Sequence, residues 1–162
     1  MKTLIVHPPD PTTGFIKPAY EGFECTLIET ASASVIRRAI MAHDRIICMG
    51  HGTPLGLLNQ HQKGFTVDSR MVQALRPKLC HLIWCHANEF ANKYKLNGYS
   101  CGMIISETSE ADYLGIPNRP GDIEASNKAL IVALKPLIWE NQIGQYLAIN
   151  PLMEYNRQNL YL

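Results

Sequence analysis

Three short apolar runs limit most strongly how this chain can fold: Thr3-Leu-Ile-Val-His7, Ile46-Ile-Cys-Met-Gly50 and Leu79-Cys-His-Leu-Ile-Trp84. None alternates with polar residues as a half-exposed strand would, and each is shorter than a helix of ordinary length. Continuous apolar strands of this kind belong to sheets covered on both faces. Between the second and third runs lie a hairpin-like segment and a short helical pattern. Before the second lies an apolar stripe at Val35, Ile36, Ala39 and Ile40, which predicts a helix over 30–42. Strands alternating with helices predict an α/β fold, a three-layer sandwich with a mostly parallel central sheet. With 162 residues the chain suits a single domain, 1–162.

The remaining elements follow from local signals. Pro8 to Pro18 reads as a loop and Phe23 to Ile28 as a strand. Leu55 to Val67 reads as a hairpin arm turning through Asn59-Gln-His-Gln-Lys-Gly64, followed by a short helix capped by Asp68 or Ser69 and ended by Pro77. Ala87, Phe90, Ala91 and Tyr94 repeat at helical spacing, so a helix starts directly after Cys85, and Asn97-Gly98 carries the signature of its stop. Met103 to Ser106 is then expected to be the fifth strand, Glu107 to Pro120 a polar loop, and Asp122 to Leu134 a long helix that Pro136 kinks or restarts. Asn150-Pro151 opens a last short helix.

Composition excludes several function classes. A hydrophobic content of 46%, a charged content of 18% and a net charge of +1 describe a folded soluble protein with no basic stripe, so neither nucleic acid nor membrane is expected as a partner. The first apolar run ends at two prolines, too early for a signal peptide. Five cysteines without CxxC spacing are expected to stay reduced in the cytoplasm. The segment "HPPDPTTGF" after the first strand lacks a GxGxxG pattern, which argues against a flavodoxin-like nucleotide binder. No cofactor is implied. The apolar positions 137–139 and the C-terminal tail are available for self-association, but the oligomeric state is open.

Chemistry concentrates where two of the runs stop. In a parallel sheet, ligands bind beyond the carboxyl ends of the strands. The second run stops at His51-Gly52 and the third at Cys85. Successive strands are usually neighbours, about 4.8 Å apart, so a thiol and an imidazole would face each other across one sheet edge. That is a Cys/His arrangement for nucleophilic catalysis. A helix opening after Cys85 would favour its thiolate. Gly52, with no side chain, offers a backbone N–H for an oxyanion, worth roughly 3–4 kcal/mol in such sites. Cys25, Cys48, Cys80 and Cys101 read as packing residues. A zinc site would need His51, His81, Cys85 and His86 to converge, and His81 lies mid-strand, so no metal is expected.

These blocks resemble the caspase-like cysteine peptidases, the group that includes legumain, gingipain and separase, and within it the bacterial CHAT domain. "IICMGHG" and "HLIWCHA" are similar to the family's His and Cys strands. "GLLNQHQKGFTVDSRMVQAL" resembles its hairpin-and-helix insert, and "CGMIISETSEAD" its following strand with a serine and a later acidic residue. The resemblance spans about residues 44 to 115. It implies a cysteine endopeptidase acting on a peptide or protein substrate by acyl transfer. His51 would be the acid–base and Cys85 the nucleophile, with the N–H groups of Gly52 and Cys85 as the oxyanion hole. Glu107, Glu110 and Asp112 would be the acidic residues selecting a basic side chain, with Asp112 the best match. One departure is His86-Ala-Asn-Glu89 directly after the cysteine, where the family usually has a small residue and a Thr-Gly-like turn. The alternative is a catalytically inactive caspase-like module that binds a partner protein or relays a signal.

Overall fold

The computed structural model describes residues 1–59, 61 and 63–161. The described chain gathers into two compact units, Met1–Asp10 with Glu24–Met103, and Pro11–Phe23 with Ile104–Tyr161.

The first unit is built on the apolar runs. Strands β1 (Thr3–Val6), β2 (Thr26–Ile28), β3 (Arg45–Met49), β7 (Leu79–Ile83) and β8 (Asn97–Ser100) form a five-stranded sheet in the order β2-β1-β3-β7-β8. Every pair is parallel. Between β3 and β7 a smaller antiparallel sheet forms from β4 (Gly52–Thr53), β5 (Gly56–Leu58) and β6 (Phe65–Asp68). The expected hairpin is therefore present and gains β4 as a third strand; Gln60 and Gln62 of its turn lie outside the described residues.

Strand alternation sorts the sheet into two faces. Leu4, Val6, Ile46, Cys48, Cys80, Leu82 and Trp84 share one core with Ile36 and Ile40 of helix α1 (Ala33–Ala42). Val72 and Leu75 of α2 (Val72–Leu75) join that core, as do Ala87, Phe90 and Ala91 of α3 (Ala87–Tyr94). On the opposite face Ile5, Ile47 and Met49 are also fully buried, and Ile83 nearly so. A parallel sheet buried on both faces is what a three-layer α/β sandwich requires, so the expected fold class is met.

Two expectations about this unit need correction. The fifth strand is Asn97–Ser100, not Met103–Ser106. Helix α3 stops at Lys95, which takes the left-handed conformation at φ 54° and returns its N–H to the carbonyls of Ala91 and Asn92. Gly98 is thus not a helix cap. A Cβ on it would lie 2.0 Å from the Cys80 carbonyl oxygen, so a side chain cannot fit between β8 and β7.

The second unit holds a 3-10 turn at Gly14–Ala19, within the expected loop, and helices α4 (Thr108–Tyr113), α5 (Asp122–Glu140) and α6 (Pro151–Leu160). Among the described residues, the apolar Met103–Ser106 stretch pairs with no strand. Instead the buried Asn156 side chain brackets Ile105, accepting from its N–H at 2.7 Å and donating to its carbonyl at 2.8 Å. Helix α5 runs through Pro136 rather than ending before it. The proline disturbs the helical ladder around Val132 and Ala133, and the Gly144 N–H satisfies the Ala133 carbonyl at 2.8 Å. The expected polar loop after Ser106 contains α4, whose start is fixed by a capping box between Glu107 and Glu110.

Candidate active site

The register of β3 on β7 carries His51 and Cys85 to the same strand tip. Met49 pairs with Ile83, and the Gly50 N–H still donates to the Ile83 carbonyl at 3.1 Å. His51 and Cys85 each follow two residues beyond that pair. The His51 side chain is only 16% exposed, and its Nε2 lies 3.6 Å from Oδ1 of Asp10, itself 14% exposed. At that separation the two form an ion pair when the imidazole is protonated, longer than an ordinary hydrogen bond. A carboxylate so placed stabilises the imidazolium by its charge.

Asp10 was not named from the sequence. It sits in the proline-rich segment after β1, which reads only as a loop. The available signal was positional: β1 neighbours β3, so a carboxylate just past the β1 tip lies near whatever ends β3.

Cys85 is half-buried at the junction of β7 and α3. The next residue, His86, has φ 65° and ψ 25°, left-handed values that a non-glycine residue adopts at a cost of about 1–2 kcal/mol. Lys95 and Asn141, which share a positive φ, are ordinary helix C-caps, whereas His86 precedes a helix. The turn is held by His86 N–H to Gly102 O at 3.2 Å, Ala87 N–H to Trp84 O at 3.1 Å and Asn88 N–H to Cys101 O at 2.9 Å. Those amides are directed into backbone carbonyls, so any help α3 gives a thiolate comes from its dipole rather than from these N–H groups. The His86 ring faces solvent and meets Glu89 at 2.9 Å.

The other thiols fit a packing role. Cys48 and Cys101 are fully buried and Cys80 is 1% exposed. Burial pushes all three up, Cys80 to about 12. Burial also raises the Cys25 thiol, against the opposing charge of Arg45.

Gly52 is fixed by Trp84, the residue before Cys85. A Cβ at position 52 would fall 2.0 Å from Cδ1 of Trp84, so β4 lies directly on the indole. The Trp84 Nε1–H donates to the Thr53 carbonyl at 3.1 Å, and the ring meets Phe90 edge-on at 5.6 Å. Gly52 pairs with Leu57, and the Leu58 N–H donates to the His51 carbonyl at 2.9 Å. In an antiparallel ladder that flanking bond makes Gly52–Leu57 a non-hydrogen-bonded pair, so the Gly52 N–H points away from β5. Trp84→Phe is expected to cost about 1–2 kcal/mol in urea unfolding, from the lost hydrogen bond and the reduced apolar area. Unchanged stability would mean that the hairpin does not depend on the indole.

Glu107, Glu110 and Asp112 belong to the second unit, whereas Asp10, His51, Gly52 and Cys85 belong to the first. Glu110 Oε2 accepts from the N–H groups of Ser106 at 2.8 Å and Glu107 at 3.2 Å, so Glu107 and Glu110 act locally as caps of α4. Asp112 is exposed and accepts from Asn118 Nδ2 at 3.2 Å. Among the described residues, no group of three or more His, Cys, Asp and Glu is arranged to hold a metal ion. No helix among them is long and apolar enough to cross a membrane.

Comparison of the chain with protein-family models, with curated proteins and with solved structures returned no match.

Proposed function

We propose that this protein is a caspase-like cysteine endopeptidase, nearest in kind to the CHAT domain, acting on a peptide or protein substrate in the cytoplasm. The observation that carries the reading is the β3–β7 register, which ends adjacent strands in His51 and Cys85 with Asp10 behind the imidazole. The strained His86 turn next to the thiol adds support, since such backbone outliers gather at reactive sites.

In this mechanism Cys85 Sγ attacks the scissile carbonyl carbon while His51 takes the thiol proton. Asp10 stabilises the resulting imidazolium. The Gly52 N–H donates to the oxyanion. His51 then protonates the leaving amine, and water, deprotonated by His51, hydrolyses the thioester. The reading extends to a preference for a basic residue before the scissile bond.

Iodoacetamide labelling of the native protein at neutral pH tests the reading. Cys48, Cys80 and Cys101 are shielded, so Cys25 is the internal standard. Cys85 is expected to react at least about tenfold faster than Cys25. His51→Ala is expected to remove most of that advantage. Equal rates at Cys85 and Cys25, indifferent to His51, would instead favour the catalytically inactive module.

A further inference from the structure

The mechanism leaves one buried nucleophile beside the site unused. Cys101 continues β8 past Ser100, and its N–H still donates to the Leu82 carbonyl at 3.2 Å, which sets it alongside Ile83. Its Sγ lies 3.3 Å from the Trp84 carbonyl oxygen, the carbonyl bonded to the Cys85 nitrogen. Standard peptide geometry then puts the Cys101 sulfur within about 6 Å of the Cys85 Cα. On the other side of Cys85, the Cys101 carbonyl accepts the Asn88 N–H at 2.9 Å and the Gly102 carbonyl accepts the His86 N–H at 3.2 Å. The Cys101-Gly102 segment is therefore clamped to the chain both before and after Cys85. Cys85 also acts electrostatically on the Cys101 thiol, as a close neighbour would. Two of the other thiols are engaged elsewhere: Cys80 Sγ bonds back to the Leu75 carbonyl, and Cys48 pairs with Leu82 inside the sheet.

We propose that Cys101 is a resolving cysteine, which forms a reversible disulfide with Cys85 when a peroxide oxidises the site. The proposal depends on Cys85 being the reactive thiol, as in the peptidase reading, but not on peptide hydrolysis. The Cys85 thiolate attacks one peroxide oxygen; the O–O bond breaks, the sulfur becomes a sulfenic acid and the other oxygen leaves as water after protonation. The Cys101 thiol then attacks the sulfenic sulfur. An S–S bond forms, the S–O bond breaks, and the hydroxide leaves as water with the Cys101 proton. In sum, two thiols and one hydrogen peroxide give one disulfide and two waters. A dithiol reductant reverses the change by exchange. Disulfides generally need Cβ atoms about 3.5–4.5 Å apart, so closing the bridge is expected to shift the His86 turn that carries Cys85. The bridge removes the nucleophile while protecting it from irreversible oxidation.

The test treats the native full-length protein with equimolar to tenfold hydrogen peroxide and maps thiols by mass spectrometry after alkylation in denaturant. The expected product is 2 Da lighter, carries a Cys85–Cys101 linked peptide, and returns to five free thiols, the number in the sequence, with dithiothreitol. In Cys101→Ser, whose hydroxyl can still donate to the Trp84 carbonyl, Cys85 is expected to gain two oxygens and to resist dithiothreitol. Overoxidised Cys85 in the wild type with Cys101 free, a bridge to Cys25, or no reaction at Cys85 would each overturn the proposal. A Cys85–Cys101 bridge in a protein that cleaves no peptide would sink the peptidase reading and leave the redox pair standing.

Discussion

Gly98→Ala is expected to lower the unfolding free energy by about 3 kcal/mol or more and the melting temperature by roughly 6–12 °C. Two independent costs add at this position. The backbone at φ 123° is one that L side chains rarely adopt, and the new Cβ would lie 2.0 Å from the Cys80 oxygen and 2.8 Å from its carbonyl carbon. Those atoms are backbone in the strand next to β8, so they cannot swing aside as a flexible side chain would. Relief requires β8 to lift from β7, which breaks the pairing from Leu79↔Asn97 to Leu82↔Ser100. Urea unfolding followed by far-UV circular dichroism measures the loss. A change under about 1 kcal/mol would mean that β8 relaxes freely at the sheet edge.

Cys85→Ala is expected to abolish peptide hydrolysis, by 10³-fold or more in kcat/KM, with the fold intact because Cys85 lies outside the shared core. His51→Ala should come close to the same loss, and the double variant should lose little more, because nucleophile and base act as a unit. Asp10→Asn keeps the size but removes the charge 3.6 Å from the imidazole, so a smaller loss, on the order of ten- to a hundredfold, is expected. The assay needs a library of fluorogenic peptide amides varied at the residue before the scissile bond, since the preferred side chain is part of the question. Hydrolysis that survives Cys85→Ala unchanged would remove Cys85 from the chemistry. The three variants separate roles that binding alone would not: a binding module would show no turnover for any of them to change.

What could be read from the sequence depended on whether a physical signal was local. Buried parallel strands must be apolar on both faces, so Leu4–Val6, Ile46–Met49 and Leu79–Ile83 announce themselves, and the residues that end them follow at once. Strand β8 gives no such signal. Asn97-Gly98-Tyr-Ser100 is a half-exposed edge segment, and its Asn-Gly pair mimics a helix stop, while the true stop is the left-handed Lys95. The apolar Met103–Ser106 stretch looked like the missing strand because Ile104 and Ile105 are buried; its backbone partner, Asn156, lies 51 residues from Ile105. The same distance problem hid Asp10, whose relevance depends on β1 lying beside β3. Glu107 and Glu110 stand out in the sequence by their charge; that their oxygens also start a helix is not legible in a stretch with no apolar periodicity.

The indole of Trp84 has a consequence for inheritance. Because it fills the space that any side chain at position 52 would occupy, those two positions are not free to vary one at a time. A lineage that replaces the tryptophan with something smaller opens a gap under the hairpin, and only then can position 52 accept a Cβ. Related chains should therefore carry the glycine and the large aromatic as a matched set, or have lost both.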